Sequence, residues 1–281
     1  MNNSTVNFTS EASTNSTTQA FWLVNRLDIF LYSINLLFGF PIHSYVIWLI
    51  ITGTGSGVAS GFFSLNLSFS EIGNCVNSLV CIVRSCFWFS YLETLTWFLL
   101  GLGIAGRPLF QCLMCVERYL AVVHPVTFLK YKPLRYRVIC CTVVWIITLG
   151  SCLGCMFTVI LQTIIFLWFY SIQFVLFLSI QLFCLVAVLR ALKQSGPGER
   201  GRKRGEENHM KRRAFCLILI TTMTMIISYV PFTITGFSCI HTQQFTEELF
   251  SFGFICYMLA GFVHPILYLH RTGKLFCFCS P

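Results

Sequence analysis

Charge is scarce in this chain: only 10% of its 281 residues are Asp, Glu, Lys or Arg, whereas 56% are hydrophobic. A water-soluble domain carries about 25% charged residues, so composition excludes a soluble globular fold. The scarcity is also uneven. From Val138 to Leu189 there is no Asp, Glu, Lys or Arg at all. About 20 apolar residues make one helical crossing of a bilayer, so this stretch can supply two. Backbone in hydrocarbon must pair with itself, as helices or as a closed barrel. The apolar runs are continuous rather than alternating, which selects helices. Aspartate is nearly missing, Asp28 being the only one, which excludes an intramembrane protease built on two aspartates; no enzyme is expected. Residues 1 to 20 have neither a basic start nor an apolar run, so they do not read as a cleavable signal peptide. No internal repeat is visible that would divide the chain into transporter-like halves.

The apolar runs that are present predict an all-α, polytopic membrane protein with seven transmembrane helices, over 29–52, 62–83, 90–119, 138–160, 166–189, 214–239 and 249–269. The corresponding organisation is an extracellular tail over 1–28, a membrane domain over 29–270 and a cytoplasmic tail over 271–281. Basic residues exceed acidic ones, 19 to 10. They concentrate between Lys130 and Arg137 and between Arg190 and Arg213, in short segments beside spans. That is the bias of cytoplasmic loops, so nucleic acid is not the expected partner; the lipid bilayer is. The same bias places the N-terminus outside. The N-terminal tail carries sequons at Asn2, Asn3, Asn7 and Asn15, which become glycosylation sites if it reaches the secretory lumen. The segment from Ser195 through Glu207 reads as a flexible basic loop. Most of the fifteen cysteines lie in apolar runs, where they pack as small hydrophobes. Cys277 and Cys279, just past the last span, are candidates for palmitoylation. No cofactor or metal is expected.

Charged side chains inside a span are costly and mark function by default. Glu71 in the second span and Arg107 in the third are the two mid-span charges. Their signs are opposite, and mutual pairing is the cheapest way to keep them there. Arg107 and Arg118 are eleven residues apart, which returns to nearly the same helix face. His43 and His264 add polar groups to the first and last spans. Pro41, Pro231 and Pro265 each remove a backbone hydrogen bond and invite a kink.

These residues resemble the rhodopsin-like G-protein-coupled receptors, over nearly all of the chain from about Ile29 to Phe276. Glu117-Arg118-Tyr119, followed by Leu120-Ala121-Val122-Val123-His124-Pro125, looks like the family's acidic-Arg-Tyr motif and second intracellular loop. Trp145 resembles the tryptophan of the fourth span. Ser228-Tyr229-Val230-Pro231 resembles Cys-Trp-x-Pro, with Tyr229 in the tryptophan position. His264-Pro265-Ile266-Leu267-Tyr268 resembles Asn-Pro-x-x-Tyr, with His264 in place of Asn. Glu71 stands where the family has Asp, His43 where it has Asn, and Arg107 where it has a small polar residue beside a bound sodium ion. The resemblance therefore implies that His43, Glu71, Arg107 and His264 share one polar core. Glu93 replaces the cysteine of the family's extracellular disulfide, so that bridge does not carry over.

By resemblance, the chain is expected at the plasma membrane as a receptor that passes an extracellular ligand signal to a heterotrimeric G protein. Arg118 would face that protein, with Glu117 and Tyr119 beside it and Val126 touching it from the second loop. Two alternatives stand next to this reading. One is a receptor-like scaffold or decoy with weak or constitutive signalling, which agonist-dependent nucleotide exchange would discriminate. The other is a transporter or channel using the Glu71 and Arg107 core, which a flux assay would decide. The ligand is not readable from the residues.

Overall fold

The computed structural model describes residues 26–53, 58–87, 89–131, 133–161, 163–193, 202–242 and 247–274. Among these the chain is helical throughout. The helices are α1 (Arg26–Ile51), α2 (Val58–Cys86), α3 (Ser90–Val123), α4 (Pro125–Tyr131), α5 (Leu134–Leu161), α6 (Thr163–Lys193), α7 (Arg202–Thr242), α8 (Glu247–Ala260) and α9 (Val263–Arg271). The second-loop segment supplies α4, and the seventh span is α8 followed by α9. The sequons at Asn2, Asn3, Asn7 and Asn15 and the tail cysteines Cys277 and Cys279 lie outside the described residues.

Six helices among the described residues are long and apolar enough to cross a bilayer. The remaining one, α2, is 29 residues long and therefore about 43 Å, ample for a crossing. Its mean hydropathy is depressed because Ser68, Ser70, Glu71, Asn74, Asn77 and Ser78 all lie on it, and every one of them is buried. Their three- and four-residue spacing gathers them on one inward face, while Phe69, Val76 and Leu79 point outward and are exposed. Here polarity marks the packed side, as it does when the surrounding solvent is lipid. The result is an all-α seven-helix membrane bundle.

Helix α3 is the central strut and packs against α2, α5, α6 and α7. Close approach there depends on small residues. A Cβ on Gly101 would stand 2.8 Å from the Cα of Cys152 in α5. One on Gly103 would collide with the Asn74 amide and the Tyr257 hydroxyl. A buried apolar layer, including Leu67, Ala105, Phe110, Met225, Tyr229 and Tyr257, fills the middle of the bundle.

Two helices depart from regular geometry next to a proline. In α1, Asn35–Gly39 forms a π-helical turn just before Pro41, the wide turn that relieves the clash between a proline ring and the carbonyl four residues back. The bulge aims Asn35 at α2, where its amide donates to the Ser78 hydroxyl at 2.9 Å. The seventh span breaks at Gly261 and Phe262, four and three residues before Pro265. Two sequence readings need correction. The cysteines do not all pack inside, since Cys140 and Cys216 are exposed on the outer faces of the bundle. The segment read as loop through Glu207 becomes helix from Arg202 onward, because its Lys, Arg, Glu and Met residues are good helix formers continuing the sixth span.

Candidate functional site

The centre of the bundle holds a polar cluster around Arg107, which is 2% exposed. Its Nε donates to Glu71 Oε1 at 2.5 Å and its Nη2 to Glu71 Oε2 at 2.8 Å. This is the bidentate fork that a planar guanidinium offers a carboxylate and a lysine cannot. The remaining terminal nitrogen, Nη1, donates to the Tyr257 carbonyl at 2.6 Å. The guanidinium also lies over the Tyr257 ring, 4.1 Å from its centroid. Asn74, one turn beyond Glu71, donates to Glu71 Oε2 at 3.1 Å and accepts from the Tyr257 hydroxyl at 3.3 Å. The second, third and seventh spans are thus joined by one charge-neutral network. Gly261 leaves room for it, since a Cβ there would press on Arg107 Nη2.

His43 and His264 flank this network. The His43 ring reaches the backbone of Gly261, whose carbonyl loses its usual helical donor to Pro265. His264 is close enough to His43, Glu71 and Arg118 to interact electrostatically with each. Both histidines are buried, and Nδ1 of each has no hydrogen-bond partner.

Tyr229, on α7, adjoins the network through Tyr257. Its hydroxyl donates to the Ile104 carbonyl of α3 at 3.2 Å. Ile104 lies four residues before Pro108, a proline inside α3, so its carbonyl lacks a helical N–H donor. A side chain of the sixth span therefore satisfies a carbonyl that the third span leaves open. Tyr229 also stacks on Phe174 and meets Tyr257 edge to face. Pro231, two residues on, is partly buried, and Thr235 donates to its carbonyl at 2.8 Å.

The basic end of the bundle carries the acidic-Arg-Tyr motif. Arg118 lines a cavity of about 40 Å³ with Ser64, Thr221, His264, Tyr268 and Arg271. Tyr268 is buried at its wall with no partner for its hydroxyl, and Pro265, next to His264 in the chain, is also buried. Glu117 forms an ion pair with Arg137 at the start of α5, Oε1 to Nη2, at 2.6 Å. The Tyr119 hydroxyl shares a hydrogen bond with His124 Nε2 at 3.1 Å. Val126 on α4, the helix that follows the motif, is an apolar side chain 81% exposed. Trp145 of the fourth span donates to Asn66 Oδ1 at 2.8 Å, so Asn66 is a packing residue.

Sequence reasoning missed four participants: Asn74, Pro108, Arg137 and Tyr257. Asn74 stands one helical turn from Glu71 and Pro108 directly follows Arg107, so both carried a local signal. Arg137 reads as one more basic residue at a span end, and Tyr257 carries no local signal.

The family model described as 7 transmembrane receptor (rhodopsin family) matches residues 44–268. Chemokine XC receptor 1 of Mus musculus is 26% identical over 275 residues, covering 86% of this chain and 78% of that receptor. Its Homo sapiens counterpart is 25% identical over 287 residues, covering 89% and 79% respectively. The uracil nucleotide/cysteinyl leukotriene receptor of Rattus norvegicus is 25% identical over 236 residues, covering 75% of this chain and 66% of that receptor.

Proposed function

Given that this chain belongs to the rhodopsin family of seven-transmembrane receptors, we propose that it is a plasma-membrane receptor that converts binding of an extracellular ligand into nucleotide exchange on a heterotrimeric G protein. The observation that carries this reading is the basic end of the bundle. Arg118 lines a small cavity with residues of the second, sixth and seventh spans, and Val126 is exposed on α4, the helix that follows the motif. A cation at this end of the bundle, with an exposed apolar residue on the helix that follows the motif, suits contact with a partner's helix end, whose terminal carbonyls and carboxylate carry negative charge.

The relatives' names span a chemokine receptor and a receptor for nucleotides or leukotrienes. The names share no one ligand, so membership of the family supports a ligand without selecting its class. The test is reconstitution of the purified receptor with purified heterotrimers of each Gα class, with guanine nucleotide exchange as the readout. Arg118→Ala is expected to leave surface expression near that of the parent and to abolish receptor-driven exchange. Unchanged exchange in that variant would overturn the reading.

A second reading, a receptor-like scaffold or decoy, draws on the internally neutralised core. Glu71, Arg107 and Tyr257 tie three spans together without an exogenous ion. Exchange that no ligand stimulates, together with intact surface expression, would favour it.

A further inference from the structure

In the outer part of the first span the buried residues are Leu31, Asn35, Gly39 and His43, each four positions from the next. In a regular α-helix every four-residue step overshoots a full turn by about 40°, so this stripe would drift by about 120° from Leu31 to His43. The π-helical turn at Asn35–Gly39 holds one residue more than an α turn and takes back about 100° of that drift. It therefore keeps both halves of α1 facing the bundle. The backbone on either side, at Ile34 and Phe40, is ordinary αR helix, so the extra residue is confined to this one turn.

Few contacts hold it there. The Asn35 amide donates to the Ser78 hydroxyl at 2.9 Å, and the Cys75 thiol donates to the Asn35 carbonyl at 3.5 Å. Pro41 favours the wide form, and the general preference of backbone for α geometry opposes it. Apolar side chains decide little, because lipid is as apolar as the bundle interior. If the turn tightens to α geometry, the outer half rotates by about 100° and each residue takes the place of its predecessor. Leu36 then faces Ser78 where Asn35 stood, and Tyr32 moves into the place of Leu31, leaving its edge-to-face contact with Phe254. Ser78 donates to the Asn74 carbonyl at 3.1 Å, and Asn74 ties Glu71 to Tyr257. The α form is thus the looser one, with the outer anchor of this network released. We propose that Asn35–Gly39 is a register switch, whose conversion between π and α forms carries a change at the outer end of the first span into the Glu71–Arg107 network. Its use in signalling rests on the proposed receptor function; the two registers do not.

Three measurements on the full-length protein test this. Deleting Leu37, exposed in the turn, removes the extra residue and leaves Leu31 and Asn35 on the buried face. This deletion, or the same deletion with Pro41→Ala, is expected to reach the cell surface near the parent level. Deleting Ile47 from the regular half turns one half of α1 away from the bundle and is expected to abolish surface expression. Loss of expression in both Leu37 deletions overturns the inference. Register is then read in membranes by diamide cross-linking to Cys75, with Asn35→Cys reporting the π form, Leu36→Cys the α form and Cys75→Ala as the control. Both disulfides are expected, the one at position 36 forming more slowly. Its absence once the Asn35→Cys variant has reacted fully means a fixed turn and overturns the switch. Finally, Asn35→Leu combined with Leu36→Asn moves the amide to the α register. It is expected to raise ligand-independent nucleotide exchange on purified heterotrimers about fivefold, at the low end of allosteric coupling, while the Leu37 deletion stays at or below the parent. Unchanged exchange in the double variant, with Arg118→Ala still abolishing exchange, overturns the inference and leaves the receptor reading standing. If Arg118→Ala has no effect either, the receptor reading fails and the cross-links alone decide the register.

Discussion

At the scale of single residues, buried charge and missing donors decide most of what the core does. Glu71 and Arg107 are each almost completely buried and satisfy one another twice over. Losing one partner strands the other, at a cost of about 3–5 kcal/mol. Arg107→Ala or Glu71→Ala alone is therefore expected to lower both surface expression and the midpoint of thermal unfolding in detergent. The double variant is expected to cost less than the sum, and ligand affinity in the parent to be insensitive to sodium. Simple additivity would show the two side chains to be independent. Arg107→Lys is expected to rescue poorly, because an ammonium cannot span both carboxylate oxygens and the Tyr257 carbonyl. A second prediction concerns Tyr229, whose hydroxyl serves the Ile104 carbonyl opened by Pro108. Tyr229→Phe leaves that part-buried carbonyl without a donor, for about 1–3 kcal/mol at most. Replacing Pro108 by Ala in the same chain restores a helical N–H, so Pro108→Ala is expected to offset the loss. An unfolding midpoint that falls equally in both backgrounds would sink this account. The opposite signs of Glu71 and Arg107 were legible in the sequence, whereas the service of Ile104 by Tyr229 was not. A hydroxyl 125 positions away leaves no trace in local periodicity.

At the scale of elements, α3 works because its small residues let neighbours come close, and this separates glycines that look alike in the sequence. Gly103 faces Asn74 and Tyr257, whereas Gly150 on α5 has open space where a Cβ would go. Gly103→Ala is expected to destabilise by about 1–3 kcal/mol, the usual cost of overpacking, and to disturb the Asn74 and Tyr257 link to Glu71. Gly150→Ala is expected to be neutral or slightly stabilising, since alanine favours helix over glycine by about 1 kcal/mol. Thermal unfolding of the two variants side by side is the check; equal shifts would contradict the close approach at Gly103. The element boundaries show a related contrast. Pro41 announces an irregular turn in α1, but the π-helical form of Asn35–Gly39 depends on Asn35 finding Ser78 across the interface. Proline position is a property of the chain; which distortion relieves it depends on the neighbouring helix.

At the scale of the whole molecule, orientation is the property with the widest consequences. The basic segments flanking the spans predict that the stretch from Lys193 to Lys211 faces the cytoplasm, with the N-terminal sequons outside. Glycosidase-sensitive mass is expected to disappear when Asn2, Asn3, Asn7 and Asn15 are all changed to Gln. An epitope inserted between Lys193 and Lys211 is expected to be detected only after permeabilisation, and its labelling on intact cells would reverse the assignment. Composition and charge placement by themselves determined that this is a helical membrane bundle, because the cost of moving polar backbone and charge into hydrocarbon is paid residue by residue along the chain. The apolar runs also predicted a span over 62–83, but that its Asn, Ser and Glu residues gather on one buried face is seen only in the bundle. Only the tertiary structure decided the partners: that Arg107 donates a third bond to the carbonyl of a tyrosine 150 positions away, and that Glu117 pairs with Arg137. Those choices depend on the rotation and depth of each helix against its neighbours, which packing of the assembled bundle sets and which no local pattern encodes.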